Sequence, residues 1–183
     1  MPAEIVFLNT TQVEEIQQQV FSVYQAAFGE LPYLRTHIDT MNFALSLSRH
    51  MQRDGFRFAA VFSGREHSLA GFAYGYTSRP GQWWHDTVAA VLPSNVARTW
   101  LDGSFELAEL ALHPASQGVG LGSRLHDTLL EGLPHRRAVL STLRTETTAM
   151  HLYRRRGWVV LMENLEFPGS GRVYRIMGLS LKD

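Results

Sequence analysis

Leu110-Ala111-Leu112-His113-Pro114-Ala115-Ser116-Gln117-Gly118-Val119-Gly120-Leu121-Gly122-Ser123 is the stretch on which the fold turns. The apolar run from Phe105 to His113 reads as a strand, and the spacing from Gly120 to Gly132 reads as a helix. Between them sits Gly-x-Gly-x-Gly. A strand entering a helix through such a turn presents several backbone N–H groups at the helix N-terminus. With the helix dipole, these donors suit a phosphate or pyrophosphate. Glycine tolerates positive φ and lets an anion approach the backbone closely. Gln117 adds a polar side chain at the rim, and Ser123 adds a first-turn N–H.

Three readings compete for this turn. A nucleoside-triphosphate loop needs Gly-Lys-Ser/Thr, which is absent. A dinucleotide fold places its glycines near the start of a parallel sheet, with an acidic residue roughly 20 positions further on. The next strand here carries Val139, Leu140 and Leu143 without that acid. The third reading is a tight structural turn.

Outward from the turn, Glu4 to Leu8 reads as a first strand, and Thr10 or Thr11 as the cap of a helix with Ile16, Val20, Val23, Tyr24 and Ala27 at helical spacing. Gly29 and Pro32 break it, and a second helix is predicted from about Thr36 to Arg53. Phe56 to Phe62 and Leu69 to Thr77 form a hairpin pattern around Ser63-Gly64-Arg65-Glu66. Arg79 to Gly103 is irregular, with short helices expected over 82–91 and 94–101. Downstream, Arg137 to Leu143 is a strand, Glu146 to Arg156 a helix, and Trp158 to Phe167 with Arg172 to Leu181 a closing strand pair. The expectation is a mixed α/β (α+β) fold in a single domain, 1–183. It has about seven mostly antiparallel strands, one strand–helix–strand crossover and flanking helices.

Composition narrows the function. The 183 residues are 45% hydrophobic and 19% charged, as in an ordinary globular protein. Seventeen Lys and Arg balance seventeen Asp and Glu, which argues against nucleic-acid or membrane-surface partners. No cysteine is present, so disulfides, thiolate metal sites and thiol nucleophiles are all excluded. The N-terminus reads as a strand rather than a signal peptide, and no run approaches the roughly 20 apolar residues of a membrane span. A cytoplasmic enzyme, monomeric or homodimeric, is expected. The eight histidines, among them His85, His113, His126, His135 and His151, are scattered, and no metal site is expected.

A second motif completes the pattern. Ala149-Met150-His151-Leu152-Tyr153-Arg154-Arg155-Arg156-Gly157-Trp158 follows the glycine turn by one strand. The pair resembles the two signatures of the GNAT acetyltransferase superfamily, Gln/Arg-x-x-Gly-x-Gly/Ala and Asn-x-x-Ala-x-x-Leu-Tyr-x-x-x-Gly-Phe. The likeness runs from Phe105 to Leu161 and implies acetyl-CoA as acyl donor and an amine as acceptor. It implies that the backbone of Leu110, Ala111 and Leu112 pairs with the pantetheine arm. The turn from Gln117 through Gly118, Val119, Gly120, Leu121 and Gly122 to Ser123 would hold the pyrophosphate. Glu146 stands where the family has Asn, and a carboxylate accepts hydrogen bonds but donates none.

By the same resemblance Tyr153 protonates the departing thiolate; its other reading is an aromatic plug between helix and sheet. Glu106 aligns with the strand glutamate that acts as base in histone-type members, and Glu109 directly precedes the cofactor-pairing backbone. Strict alternation puts these two glutamates on opposite faces of the strand, a bulge of the kind usual in the family would alter that, and the other reading of either is a solvated or ion-paired structural residue. The family binds its acceptor with the early helices and the segment before the central strand. Phe28, Tyr33, Trp83, Trp84, His85 and Asp86 are therefore the substrate candidates, the tryptophans with Asp86 forming a wall for a cationic amine or simply packing the segment. The rival to an enzyme is a CoA-binding sensor of the same fold without turnover.

Overall fold

The computed structural model describes residues 3–64 and 68–182. Strand β1 (Glu4–Leu8) leads into α1 (Thr10–Glu15), which is capped by Asn9 rather than by a threonine. The Asn9 side chain accepts from the Gln12 backbone N–H at 2.9 Å, and the Gln12 side chain accepts from Asn9 N–H at 3.0 Å. Asn outranks Thr as a cap, and Gln three positions on closes the reciprocal box. The helix predicted to run on from there is interrupted at Ile16 and resumes as α2 (Gln17–Phe28). Helix α3 (His37–His50) starts on a second such box, between Thr36 and Asp39.

Strands β2 (Arg57–Ser63) and β3 (Ser68–Thr77) pair antiparallel from Arg57↔Gly75 to Ser63↔Ser68, with a register shift between Val61 and Phe62. Of the expected hairpin turn, Gly64 has φ +80°, whereas Arg65 and Glu66 lie outside the described residues. The irregular segment forms two short helices, α4 (Trp83–Ala89) and α5 (Ser94–Trp100). Then come β4 (Phe105–Leu112), a 3₁₀ turn over Pro114–Ser116, α6 (Leu121–Leu130) and β5 (Arg137–Leu143). The chain closes with α7 (Thr148–Arg155), β6 (Val159–Glu166) and β7 (Val173–Ser180). Helix α7 begins later than predicted because Thr147 caps it, its hydroxyl accepting from Met150 N–H at 3.1 Å.

The strand order is β1-β2-β3-β4-β5-β7-β6. Pairs β1–β2, β2–β3, β5–β7 and β6–β7 are antiparallel, and β4–β5 is parallel, joined in sequence through α6. This is the expected seven-stranded, mostly antiparallel sheet with flanking helices.

The chain groups into two compact units: that up to Tyr76 with Glu109–Glu131, and Thr77–Ala108 with that from Gly132 onward. In the first, α2 and α3 meet the sheet through aromatic side chains. Tyr24 stacks on Phe43 at 4.0 Å, and Phe43 stacks on Phe72 of β3 at 6.0 Å. Gly71 permits the approach of β3 to β4, since a Cβ there would sit 2.7 Å from the Ala111 carbonyl oxygen. The second unit buries Leu101, Phe105, Val139, Leu140, Met150, Ile176 and Met177. Each such side chain contributes about 1.5–3 kcal/mol on leaving water.

Candidate active site

The glycine turn keeps the geometry that its sequence implies. Gly118 and Gly120 have φ of +77° and +83°, and Gly120 is the N-cap of α6 in the left-handed conformation. The Gly120 N-cap makes no side-chain capping bond to this helix, as a residue without a side chain cannot. A Cβ at either glycine would meet nothing within 4 Å. Glycine is required there by backbone conformation, and the space around the turn is open to an anion. Gln117 folds back, its amide donating to the Leu112 carbonyl at 3.0 Å. That bond fastens the turn to the end of β4. His113 helps as well, Nδ1 accepting from Ala115 N–H at 3.2 Å.

Glu109 shares this unit. It is half-buried, and burial of its carboxyl pushes the pKa up to about 7, with the Arg35 charge working in the opposite direction. Glu106, three residues earlier on β4, is buried at 4% exposure, in register with Val139 of β5. Of the two glutamates, Glu109 is the less buried. Phe28 and Tyr33 also lie in the first unit, half-buried, with ring centroids 4.9 Å apart in an edge contact.

Tyr153 lies in the second unit on α7, buried, its ring 5.7 Å from that of Trp158. Glu146 is exposed and takes a bidentate contact from Arg154 at 2.6 and 2.8 Å, with Arg175 at 3.4 Å. The Arg154 hydrogen bond, ahead of the Arg175 contact, holds its carboxyl below the usual range. Arg154 therefore closes an ion pair at the end of α7 besides complementing the helix dipole.

The two adjacent tryptophans part company. Trp84 is buried, its indole N–H donating to Ser141 Oγ at 3.2 Å. Trp83 is 59% exposed and leans on Phe167 at 5.4 Å. His85 is buried between two carboxylates, Nδ1 3.0 Å from Asp86 and Nε2 3.1 Å from Asp102. Asp86 also accepts from Gly81 N–H, and these bonds, His85 first, hold it below the ordinary carboxylate range.

The model of the Acetyltransferase (GNAT) family matches residues 18–158. This chain belongs to the GNAT family. The GNAT chain is similar to a GCN5-like protein acetyltransferase of Mycobacterium tuberculosis, 36% identical over an alignment of 121 residues that covers 62% of this chain and 59% of that protein. The match therefore spans less than two thirds of that relative's length. Among solved structures it resembles a phosphinothricin acetyltransferase of Sinorhizobium meliloti in complex with acetyl-CoA. The TM-score is 0.65 at 16% identity, covering 100% of this chain and 90% of the other. It also resembles the ribosomal-protein-S18-alanine N-acetyltransferase of Escherichia coli, with TM-score 0.63 and 18% identity over 99% and 95% of the two chains. At these identities the likeness is one of fold.

One residue of the GNAT chain was not anticipated from sequence. Arg35, in the loop between α2 and α3, acts on Glu109 across 74 positions of sequence, and only tertiary folding reveals it. Its local signal was slight, a cation beside the Thr36 cap. Among the described residues no group of three metal-ligating side chains occurs, and no helix is long and apolar enough to cross a membrane.

Proposed function

We propose that this GNAT chain transfers an acetyl group from acetyl-CoA to an amine of a small molecule or peptide, by direct attack in a ternary complex. The observation that carries the reading is the N-terminus of α6, opened by Gly118 and Gly120 at positive φ. Its first-turn N–H donors and the open space beside the two glycines fit a pyrophosphate. Leu110 to Leu112 supply strand backbone for the pantetheine arm, and Gln117 fixes the junction.

Acetyl-CoA, when bound, supplies a thioester whose carbonyl carbon is the electrophile. Glu109 takes the proton of the attacking amine, because a carboxyl titrating near neutrality is both deprotonated often enough and basic enough for the task. The amine nitrogen forms its bond to carbon, the carbon–sulfur bond breaks, and the Tyr153 hydroxyl returns a proton to sulfur. A backbone N–H of the β4 end polarises the carbonyl as charge develops on oxygen. Trp83, exposed on α4, is the acceptor-side candidate that stands out. Trp84, His85 and Asp86 hold that segment in place.

The named relatives act on a protein, on phosphinothricin and on a ribosomal-protein alanine, so the acceptor class is read only as an amine. Steady-state thiol release from acetyl-CoA with a panel of amines, peptides and lysine-bearing proteins tests the reading. Release that depends on both substrates supports it. Tight CoA binding by calorimetry with no release from any acceptor would turn the assignment toward a binding module.

A further inference from the structure

We propose that the outer face of α3 is a self-association surface, seated in solution on the same face of a second copy of this chain. The inference does not depend on the acyl-transfer reading.

Helix α3 is apolar on two sides. Its inner side is taken up by the sheet: Thr40, Phe43 and Leu47 are buried, and the Phe43 ring stacks on both Tyr24 and Phe72. The outer side carries Ile38, Met41 and Leu45, whose spacings of three and four set them in one stripe along the helix. Leu31 and Leu34 stand in the loop just before α3. All five are between 53% and 79% exposed. A surface helix ordinarily turns charged or polar residues to water on that side.

The amount of surface decides the occupant. With about 200 Å² for a large apolar side chain when fully accessible, these five leave roughly 600 Å² of apolar surface in water, the upper end of what a monomer shows. A stable dimer buries about 800 Å² per partner. The five side chains supply most of that, before the exposed polar neighbours His37, Asn42 and Arg49 are counted.

A second copy fits because the stripe is self-complementary. In an antiparallel pair about a two-fold axis at Met41, Ile38 of one helix meets Leu45 of the other, so each apolar side chain finds an apolar counterpart. The same arrangement opposes the helix dipoles. It also brings the acidic first turn, with Asp39, to the end where the second copy carries Arg49. Seventeen basic and seventeen acidic residues leave no net charge to hold two copies apart.

Sedimentation velocity of the full chain at about 1 and about 100 µM tests the proposal, because interfaces of this size associate in the micromolar range or more tightly. The mass should rise toward twice the 20.7 kDa of one chain. Ile38→Glu sets a charge against an apolar partner and should weaken the dimer about 100-fold or more. Adding Leu45→Lys to the same chain should recover most of the loss, since the axis then pairs Glu with Lys twice. Both positions are exposed, and circular dichroism checks that the variants fold. The chain has no cysteine, so Met41→Cys introduces a single thiol. It should cross-link two copies when oxidised with copper phenanthroline, whereas Glu14→Cys, exposed on α1, should not. A monomeric mass at the higher concentration overturns the proposal. So does a dimer that Ile38→Glu leaves intact and Met41→Cys fails to link, which puts the contact on another face. A monomer that binds phosphatidylcholine–phosphatidylglycerol vesicles, and loses them in Ile38→Glu, overturns it in favour of a lipid surface.

Discussion

His50 on α3 shares a 3.0 Å hydrogen bond through Nδ1 with the hydroxyl of Tyr74 on β3. Burial, then the charges of Arg53 and Arg49, push its imidazole down to about 3. Below its ordinary value near 6.5 the unfolded chain takes up a proton that the folded protein refuses, so folding loses stability as pH falls from 6.5 towards 3. The contribution is fully present above 6.5. His50→Gln, which cannot titrate, should therefore be at a disadvantage at pH 7 that shrinks by pH 4, by on the order of 1–3 kcal/mol. Thermal melts across that range check it; a constant difference would place the acid sensitivity elsewhere.

Glu109 runs the other way. Its carboxyl is raised to about 7, so between its ordinary value and 7 the folded protein holds a proton that the unfolded chain releases. Stability then falls as pH rises through that window. Glu109→Gln should be stabilised relative to the parent at pH 8 compared with pH 5, by on the order of 1–3 kcal/mol. Its acetyl-transfer rate should drop about 10²-fold or more. Denaturant melts at the two pH values give the first quantity and initial rates the second. Equal stability differences at both pH values would remove the case for a neutral-range base.

Gly120 has φ +83° and open space around it, so Gly120→Ala should cost about 1–2 kcal/mol through backbone strain alone. Gly120→Asn, which tolerates that conformation, should keep most of the stability and still weaken CoA binding about tenfold or more, by crowding the anion. Calorimetric titration with CoA separates the two effects. Unchanged affinity in the Asn variant would detach the pyrophosphate from this turn.

Tyr153→Phe retains the ring contact with Trp158 and loses only the hydroxyl. The maximal rate should fall roughly 10- to 100-fold with CoA affinity unchanged. A rate equal to the parent's at every pH would leave Tyr153 as packing between α7 and its neighbours.

The tryptophan pair gives a contrast within one helix. Trp84→Phe leaves Ser141 without its indole donor and should cost about 1 kcal/mol with the amine KM unaltered. Trp83→Ala removes an exposed ring, should change stability by less than about 1 kcal/mol, and should raise the amine KM. Equal KM values would take Trp83 out of the acceptor site.

Much of the fold was legible because local rules suffice for it. The Gly118–Gly120 turn needs positive φ, the strand before it is a mostly apolar run, and the helix after it repeats at helical spacing. The misplaced boundaries were those set by caps: Asn9 competed with two threonines, and Thr147 displaced Glu146 as the start of α7. The candidate site divides similarly. Sequence could name Glu106 and Glu109 as a pair, but a spacing of three cannot say that one is buried and the other half-buried. It could place Trp83 next to Trp84, but not that one faces solvent while the other bonds to Ser141.

By itself the sequence determined that a strand ends in a glycine turn of positive φ and that a tyrosine-bearing helix follows one strand later. Both follow from backbone conformation and residue spacing, which are local. Only the tertiary structure decided the electrostatic environment: Arg35 with Glu109, Arg154 with Glu146, His85 between Asp86 and Asp102. Proton affinity depends on burial and on charges brought near through space, and neither is written in the order of residues along the chain.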